Sequence, residues 1–423
     1  MRYGSRGFIK SLNQYYDNSA YYLNDVLKAE TNLKDMITMA DGNIYVIPRY
    51  QKILQNELGY RMWIYKPWLE KLNLSEPKTL DEFYNVLKAF KEKDPNGNGL
   101  ADEIPFIGAT SGGENWFCDF IAAAFQPIDI QSNYLYPENG KIKAAYVEPE
   151  YKEALKYLNK LCTEGLLSPS SFTSDGAQTR QTIQNPSGVQ VGCFTSMAPT
   201  YLINATDRAE GYDILAPLTQ DNGTGYAVYG ASIPTNSFFI TKNCQYPEAA
   251  FRLGDIMMSE EMSIWNRFGK KGTDWVEPEE GDHGMFESMG YKAKIKPILA
   301  WGSPQNSHWQ QGAPAYRGYE LACATVDSGS NIYETRIAEH LQSYLDKKPK
   351  EYITKIIYTE DEINAINEIQ QNITSYRKDS VARFIIGDWD IESGWEDYLK
   401  EMKAIGVDEM LDIVQKAYDR CNK

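Results

Sequence analysis

The stretch PKTLDEFYNVLKAFKEKDPNGNGLADEIP, residues 77–105, combines a helix signal with a loop rich in oxygen donors. Thr79 and Glu82 have the spacing of a capping box, in which both side chains satisfy backbone N–H groups at a helix start. Apolar residues then recur at helical spacing, at Phe83, Val86, Leu87 and Phe90. Pro95 cannot continue a helix. The stretch therefore predicts an amphipathic helix that packs on a core and ends after Lys93.

The loop over residues 94–103 carries oxygen-bearing side chains at nearly alternate positions, with Gly97 and Gly99 between them. Glycine accepts the left-handed backbone conformations that let a loop fold back tightly. Ca²⁺ takes roughly 6–8 oxygen ligands from carboxylates, amides and backbone carbonyls. The sequence therefore predicts a calcium site in this loop. The candidate ligands are Asp94, Asn96, Asn98, the Leu100 carbonyl, Asp102 and Glu103.

The spacing of these ligands matches an EF-hand loop only in part. Counted from Asp94 as position 1, the match extends through the central glycine, but position 12 is Pro105, which has no ligating side chain. Asp102 and Glu103 then have to supply the remaining charge. Two alternatives stay open: an Asx-rich turn that binds nothing, and a dockerin-like module, which needs a second such loop that the sequence lacks.

The composition excludes several classes of protein. A chain of 423 residues is long enough for two or three domains. The 58 acidic residues exceed the 43 basic ones and give a net charge of −15, which opposes binding to nucleic acid and to anionic membranes. Six scattered cysteines and three histidines form no metal-binding spacing, so neither a zinc site nor a disulfide framework is predicted. The 30 tyrosines and 9 tryptophans can fill cores or line a site for an amphipathic ligand.

Short apolar segments alternate with helical patterns along most of the chain, which indicates an α/β fold with mixed or parallel sheets. The expected strands are 44–47, 62–65, 189–194, 212–216 and 237–240. Further capping boxes at Thr359 and Ser393 begin helices, and the last seventy or so residues are expected to be almost wholly helical. Residues 267–318 show little periodicity, as functional loops often do.

Four consecutive segments resemble family 1 extracellular solute-binding proteins, and in particular the lipoprotein branch with the alginate-oligosaccharide binders and LipO-type proteins. These segments are 64–72, 77–83, 87–99 and 102–105. Further segments support the resemblance over essentially the whole chain, namely 151–158, 164–166, 246–250, 269–275 and 415–420. The family delivers oligosaccharides to ABC importers. The resemblance therefore implies a binding subunit without catalysis, most simply a monomer, whose partners are an oligosaccharide and the permease subunits.

The resemblance also implies a fold. We expect the two-lobe α/β architecture of periplasmic binding proteins (class II type), with a hinge between the lobes and a helical C-terminus. The expected N-lobe comprises residues 1–108 and 241–325, and the expected C-lobe comprises residues 109–240 and 326–423. In the family, the calcium loop is structural and remote from the sugar, which is bound in the cleft between the lobes.

Intact family members begin with an export signal, a lipid-modified cysteine and a first βαβ unit, and they are extracytoplasmic lipoproteins. The segment Gly7–Leu12 resembles the part of the family sequence that comes directly after that unit. The first residues, Met1–Phe8, show no apolar signal region and no lipid-attachment cysteine. We therefore expect that the chain as written lacks its export signal and that its N-lobe is incomplete.

A sugar site needs flat aromatic platforms for the C–H faces of the ring and fixed hydrogen-bonding groups for its hydroxyls. The range 108–113 is expected to be the first crossover between the lobes. The candidate ligand-binding residues are Glu114, Asn115 and Trp116, which lie just after it, and Trp265, Trp301, Trp309 and Tyr316. Any single tryptophan among them fits a packing role equally well. The alternative function is a calcium-containing extracellular glycosidase or polysaccharide lyase, and a glycosidase would need two carboxylates about 5–10 Å apart.

Overall fold

The computed structural model describes residues 2–112, 117–197, 210–298, 306–309, 312–327 and 332–421. In these ranges the chain is a mixed α/β protein, as expected. The helices are α1 Arg2–Ser5, α2 Asn13–Asn18, α3 Tyr22–Ala29, α4 Leu33–Ile37, α5 Leu54–Glu57, α6 Lys66–Lys71, α7 Leu80–Glu92, α8 Phe117–Ala122, α9 Pro149–Thr163, α10 Gly176–Ile183, α11 Pro247–Met257, α12 Glu260–Phe268, α13 Tyr319–Ala322, α14 Ile332–Leu345, α15 Glu360–Ile386, α16 Ile391–Ile405 and α17 Val407–Cys421. Across the described ranges, no helix has the length and apolar character needed to cross a bilayer.

In the described part of the chain, the strands form four small sheets. They are β1 Ile47–Gln51, β2 Arg61–Tyr65, β3 Ile104–Ile107, β4 Leu135–Glu138, β5 Lys141–Ala144, β6 Val191–Ser196, β7 Tyr212–Leu215, β8 Thr235–Phe238, β9 Trp275–Val276, β10 Lys296–Pro297 and β11 Ala315–Arg317. The first expected strand begins later than the sequence indicated. Ile44 makes only a single bridge, to Thr38, and the regular pairing starts at Ile47.

Among the described residues, two hydrophobic cores are extensive, and a third, minor cluster is formed by Trp275, Ile295 and Leu321. The small core includes Leu12, Tyr16, Leu23, Val26, Ile37, Ile47, Ile240 and Phe251. The large core includes Trp63, Phe83, Phe106, Tyr151, Phe194, Tyr344 and Tyr398. The chain leaves the small core after Tyr50 and enters the large core at Leu54. It returns to the small core between Ala231 and Ile240, packs on the large core again around Phe286, and leaves the small core after Tyr316.

A four-stranded sheet in the order β3-β6-β2-β7 lies in the large core. β2 is antiparallel to both β6 and β7, whereas β3 is parallel to β6. Every residue of β6 and β7 is buried, so both faces of the sheet are covered, as α/β architecture requires. The sheet is a buried platform for the helices on either side.

The large sheet crosses the expected lobe boundary at residue 108. β2 and β3 belong to the range assigned to the N-lobe, and β6 and β7 belong to the range assigned to the C-lobe, yet all four are hydrogen-bonded together. Gly108, at the expected first crossover, donates its N–H to Ser171 Oγ (2.9 Å). The division into lobes therefore stays a prediction, and the packing favours a boundary between residues 51 and 54.

A three-stranded sheet in the order β11-β1-β8 lies where the chain passes between the small core and the large core. β1 is parallel to β11, with Gln51 opposite Arg317, and antiparallel to β8, with Arg49 opposite Thr235. All three strands therefore meet the large core at the same end of the sheet. This arrangement places the three connections side by side.

The helix predicted after Thr79 is confirmed as α7, and its capping box is formed in both directions. Phe83, Leu87 and Phe90 are completely buried on its inner face. The Thr359 capping box is confirmed too. The expected cap at Ser393 is wrong, because Asp390 accepts the Ser393 N–H (2.8 Å) and starts α16 three residues earlier.

The C-terminal helices pack on the large core through aromatic rings. The rings of Phe384 and Trp389 are stacked with their centroids 4.5 Å apart, and those of Trp395 and Tyr398 are stacked at 5.0 Å. Such pairs add about 0.5–1.5 kcal/mol to the stabilisation that comes from the area they bury.

The six cysteines are free thiols, which agrees with the expectation from their spacing.

Replacing Phe83 with alanine is expected to lower the free energy of unfolding by about 3–5 kcal/mol, because the substitution leaves a cavity in the large core. Asn85 is exposed on the opposite face of α7, so Asn85→Ala is the matched control and is expected to change stability by less than about 0.5 kcal/mol. Urea denaturation of both variants measures the difference. Equal losses would contradict the assignment of the buried face.

Candidate functional site

The loop between α7 and β3 folds around the Asp94 side chain. Asp94, Gly97 and Gly99 have positive φ angles of 45°, 77° and 75°. Asp94 Oδ1 accepts the N–H groups of Gly97 (2.9 Å) and Asn98 (3.1 Å), and its Oδ2 accepts that of Gly99 (3.1 Å). The carboxylate therefore fixes the backbone turn that the glycines permit.

The remaining polar side chains of this loop converge on Asp102. Asn96 Nδ2 donates to Asp102 Oδ1 (2.8 Å), and Asn98 Nδ2 donates to both of its carboxylate oxygens (3.0 and 3.1 Å). Gln190 Nε2 also donates to Oδ2. These bonds, first those of Asn96 and Asn98, hold the pKa of Asp102 below its ordinary value. Leu100 joins the network through its N–H, which donates to Asn98 Oδ1 (2.7 Å).

Glu103 is the least satisfied member of the loop. Its Oε1 is buried and has no hydrogen-bond partner among the described residues. Burial raises the pKa of this carboxyl, and the neighbouring charges of Asp102 and Asp94 raise it further. Backbone hydrogen bonds of Glu103 and Asn96 offset part of this effect. A buried carboxylate oxygen without a partner is costly, and a hard cation would relieve that cost.

The structure thus brings five of the six predicted calcium ligands into one hydrogen-bonded loop, with Glu103 beside them. Among the described residues, no three His, Cys, Asp or Glu side chains are gathered as a metal site. The donor set, three carboxylates with two amides, nevertheless fits Ca²⁺, and the unpartnered Glu103 oxygen points to the same chemistry. The ligand set itself remains a prediction.

The junction between the two cores holds two cavities on opposite sides of β1. Side chains alternate along a strand, so Arg49 and Gln51 line a cavity of about 210 Å³ on one side. Tyr50 and Lys52 line a cavity of about 560 Å³ on the other. Both cavities lie where the three connections pass between the cores.

Aromatic rings and charges alternate around the larger of these two cavities. Lys52 pairs with Glu30 (3.1 Å) and lies 4.5 Å from the ring centroid of Tyr319. The hydroxyl of Tyr319 donates to the buried carboxylate of Glu57 (2.9 Å). On the far wall, Lys348 lies 4.3 Å from the ring centroids of both Tyr229 and Tyr352. Sequence reasoning missed these residues, since nothing in their local pattern distinguishes them from core tyrosines and surface lysines.

The aromatic residues expected in the cleft have different surroundings. Trp265 on α12 is 45% exposed, and its indole donates to the Ser307 carbonyl (3.3 Å), while Trp309 is 55% exposed. Tyr316 is half-buried, donates its hydroxyl to Glu30 (2.8 Å) and stacks on Tyr50. Trp265 and Trp309 are therefore accessible from solvent, whereas Tyr316 is engaged by its neighbours. Four expected ligand contacts, Glu114, Asn115, Trp116 and Trp301, lie outside the described residues.

A third cavity, of about 630 Å³, lies between α15 and the elements that come after β3. We call it the Arg377 cavity, after the buried arginine of α15 that lines it. The cavity is also lined by Asp119 of α8, which is buried, and by Tyr134, which is half-buried. The signal for this site was present in the sequence, because Arg377 interrupts the apolar stripe of α15 formed by Ile366, Ile373 and Val381.

The two cores, the three adjacent connections and the cavities at their junction define a two-lobe ligand-binding protein. A family model described as bacterial extracellular solute-binding protein matches residues 5–263. The chain therefore belongs to that family, whose members are extracellular binding proteins and not enzymes.

Two curated relatives match nearly the whole chain. The fructooligosaccharide ABC transporter substrate-binding protein FusA of Streptococcus pneumoniae is 26% identical over 99% of this chain and 77% of its own length. Lipoprotein LipO of Bacillus subtilis is 27% identical over 98% of this chain and 79% of its own length.

Solved structures share the fold. An extracellular solute-binding protein from Bifidobacterium longum subsp. infantis has a TM-score of 0.83 at 23% identity, covering 99% of this chain and 84% of that one. An EF-hand mutant of S. pneumoniae FusA in complex with fructo-nystose has a TM-score of 0.76 at 23% identity, covering 100% and 86%. Alginate-binding protein AlgQ2 without calcium ion has a TM-score of 0.69 at 19% identity, covering 99% and 83%.

The Arg377 cavity gives the protein a predicted dependence of stability on pH. Burial raises the pKa of Asp119 to about 6, and the Arg377 charge and the Tyr134 hydrogen bond offset only part of that effect. An unfolded aspartate titrates near ~3.9, so between about pH 4 and 6 the folded state binds more protons. Its stability therefore falls as the pH rises through that window.

Asp119→Asn removes this titration. We expect the free energy of unfolding of the variant, relative to the unaltered protein, to increase from pH 4 to pH 6 and then to level off. Urea denaturation at half-unit pH steps measures it, and Asp221→Asn, at an exposed turn, is the control. Parallel pH profiles for Asp119→Asn and the unaltered protein would contradict the prediction.

Proposed function

We propose that this chain is the solute-binding subunit of an ABC importer, that it captures an oligosaccharide between its lobes, and that it delivers the sugar to the permease. The observation that carries the proposal is the junction of the two cores, where three adjacent connections surround cavities lined by tyrosines, lysines and glutamates. The family assignment and the oligosaccharide named for the FusA relative support it.

The chemistry of the junction suits a sugar. Tyrosine rings offer flat apolar surfaces to the C–H faces of a pyranose or furanose, and the buried carboxylate of Glu57 with the ammonium groups of Lys52 and Lys348 offers acceptors and donors for hydroxyls. Closure of the lobes on the sugar would shift a population of open and closed forms. Exposed Trp265 and Trp309 fit the role of additional platforms.

The rest of the proposed site comes from the sequence. Glu114, Asn115, Trp116 and Trp301 keep their proposed roles as ligand contacts, and Tyr316 is proposed to act through Glu30, to which its hydroxyl donates. We further propose that the protein acts as a monomer. The LipO relative is a lipoprotein, which supports a lipid-anchored, extracytoplasmic location.

We also propose that the loop over residues 94–103 holds a structural Ca²⁺. Asp94, Asp102 and Glu103 would supply the charge, and Asn96, Asn98 and the Leu100 carbonyl would complete the shell. The EF-hand and the calcium ion named for two proteins of the same fold support this assignment. When bound, the ion would neutralise three neighbouring carboxylates and brace the connection between α7 and β3.

A thermal-shift screen against kestose, maltotriose, lacto-N-tetraose and trigalacturonate tests the proposed function. At least one of them is expected to raise the melting temperature, because a ligand that binds only the folded state stabilises it. Trp265→Ala and Trp309→Ala are each expected to weaken binding about tenfold or more in calorimetric titration. Tyr246→Ala, at an exposed aromatic residue on the N-terminal side of α11, is the control.

The same incubations separate a binding protein from an enzyme. The sugar that stabilises the protein is expected to be recovered intact, at a stoichiometry of about one per chain. Cleaved or unsaturated products in excess of the protein would support the glycosidase or lyase alternative. Failure of every oligosaccharide to stabilise the protein would reject the carbohydrate assignment.

Removal of calcium is expected to lower the melting temperature. At a free calcium concentration of a hundred times Kd the ion stabilises the fold by about 2.7 kcal/mol. Asp94→Asn and Glu103→Gln are expected to reduce the difference between calcium and chelator in scanning calorimetry. The control is Asp221→Asn, for which the full difference is expected to remain. No difference in the unaltered protein would mean that the loop is only an Asx-rich turn.

A further inference from the structure

The Arg377 cavity is a built pocket outside the junction of the two cores. Its floor is formed by α8 and α9, and α15 forms one wall with Gln370, Thr374 and Arg377 at successive turns. Its volume of about 630 Å³ lies inside the range of small-molecule sites, about 300–1,000 Å³. The cavity is therefore large enough for one sugar unit with its hydroxyl groups.

Arg377 supplies hydrogen-bond donors that the protein does not use. The residue is only 9% exposed. Among the described residues its guanidinium hydrogen-bonds the Tyr151 hydroxyl at 3.5 Å and the Tyr134 side chain, and it makes no ion pair within 4 Å. Its charge lies 3.7 Å above the ring centroid of Tyr134. A guanidinium carries five N–H donors, so most of them are left for a ligand or for water.

Asp119 supplies acceptors beside those donors. The carboxylate is 5% exposed and accepts the Tyr134 hydroxyl at Oδ2 (3.0 Å). Its other oxygen has no hydrogen-bonding partner within the described part of the chain. Arg377 is thus held over the Tyr134 ring as a donor, and Asp119 is held at the hydroxyl of the same tyrosine as an acceptor.

Aromatic rings form part of the remaining lining, which also includes the charged residues Lys378 and Asp379. Phe117 and Phe172 pack edge to face with their centroids 5.4 Å apart, and both rings line the cavity together with Tyr146. Aromatic surfaces next to a donor and an acceptor are what a sugar ring requires, because its C–H faces are apolar and each hydroxyl both donates and accepts. A purely apolar ligand would leave Arg377 and Asp119 unpaired.

We infer that the Arg377 cavity binds one neutral sugar unit of the oligosaccharide, with hydroxyl groups paired to Arg377 and Asp119. This inference rests on the proposed function and adds a second place of contact to it. The unit is neutral because the cavity already contains a carboxylate, so a uronate would gain from Arg377 and lose to Asp119. The net charge of −15 also opposes an acidic ligand.

The first test closes the cavity without touching the two charged residues. Thr374 is partly exposed at its rim, and Thr374→Trp would fill the space over Arg377. Gln371→Trp, on the exposed face of the same helix, is the matched control. Titration with the oligosaccharide that stabilises the unaltered protein most in the screen is expected to show at least tenfold weaker binding for Thr374→Trp. Gln371→Trp is expected to bind within twofold.

The second test removes the planar fork of the guanidinium and keeps its charge. Arg377→Lys is expected to weaken kestose or maltotriose by at least tenfold, while calorimetry shows a folded protein with a cooperative transition. If Thr374→Trp and Arg377→Lys both bind like the unaltered protein, the cavity is only a packing void and the inference is wrong. In that case the proposed function stands.

Trigalacturonate, the acidic sugar of the screen, tests whether the bound unit is neutral. If trigalacturonate binds, kestose and maltotriose do not, and Thr374→Trp weakens the acidic ligand, the assignment of a neutral unit is overturned. If no sugar binds the unaltered protein, the proposed function fails and this inference fails with it. The two failures are therefore distinguished by the behaviour of the unaltered protein.

Discussion

The pairing of β1 with β11 and β8 is the interaction on which the rest of the structure depends. Its backbone hydrogen bonds hold together the three strands at whose ends the chain passes between the cores. Because successive side chains of a strand point to opposite faces, the same strand presents Arg49 and Gln51 to one cavity and Tyr50 and Lys52 to another. A few residues thus set both the connection between the lobes and the walls of the proposed site.

The sequence predicted local structure well where one segment carried its own signals. The capping box at Thr79 and the apolar stripe after it determine α7 without help from distant residues. The turn at Asp94 was also predictable from local chemistry, since a carboxylate and two glycines two residues apart are enough to close it. The family resemblance then supplied the two-lobe fold, which no periodicity in the chain could have given.

Pairing between distant segments was beyond such reasoning. The expected boundary at residue 108 was drawn along the chain, but β3 bonds to β6, more than eighty residues later, so the large sheet joins both sides of it. The tyrosines at the junction were missed for the same reason: Tyr50, Tyr229, Tyr319 and Tyr352 become one cluster only when the three connections come together. The expected cap at Ser393 failed more narrowly, because Asp390 accepts the Ser393 N–H and so makes Ser393 the third residue of the helix.

Arg377 is a charged residue in the otherwise apolar stripe of α15, and such an exception to the pattern can indicate a binding site. A buried arginine costs several kcal/mol unless its charge and its donors are satisfied, and a leucine or methionine at this position of α15 would pack at less cost. The protein instead keeps the guanidinium over the Tyr134 ring, with Asp119 at the hydroxyl of the same tyrosine, and both charged residues line the cavity. The attraction between Arg377 and Asp119 offsets part of that cost, and a ligand with hydroxyl groups would offset more of it by pairing with both residues.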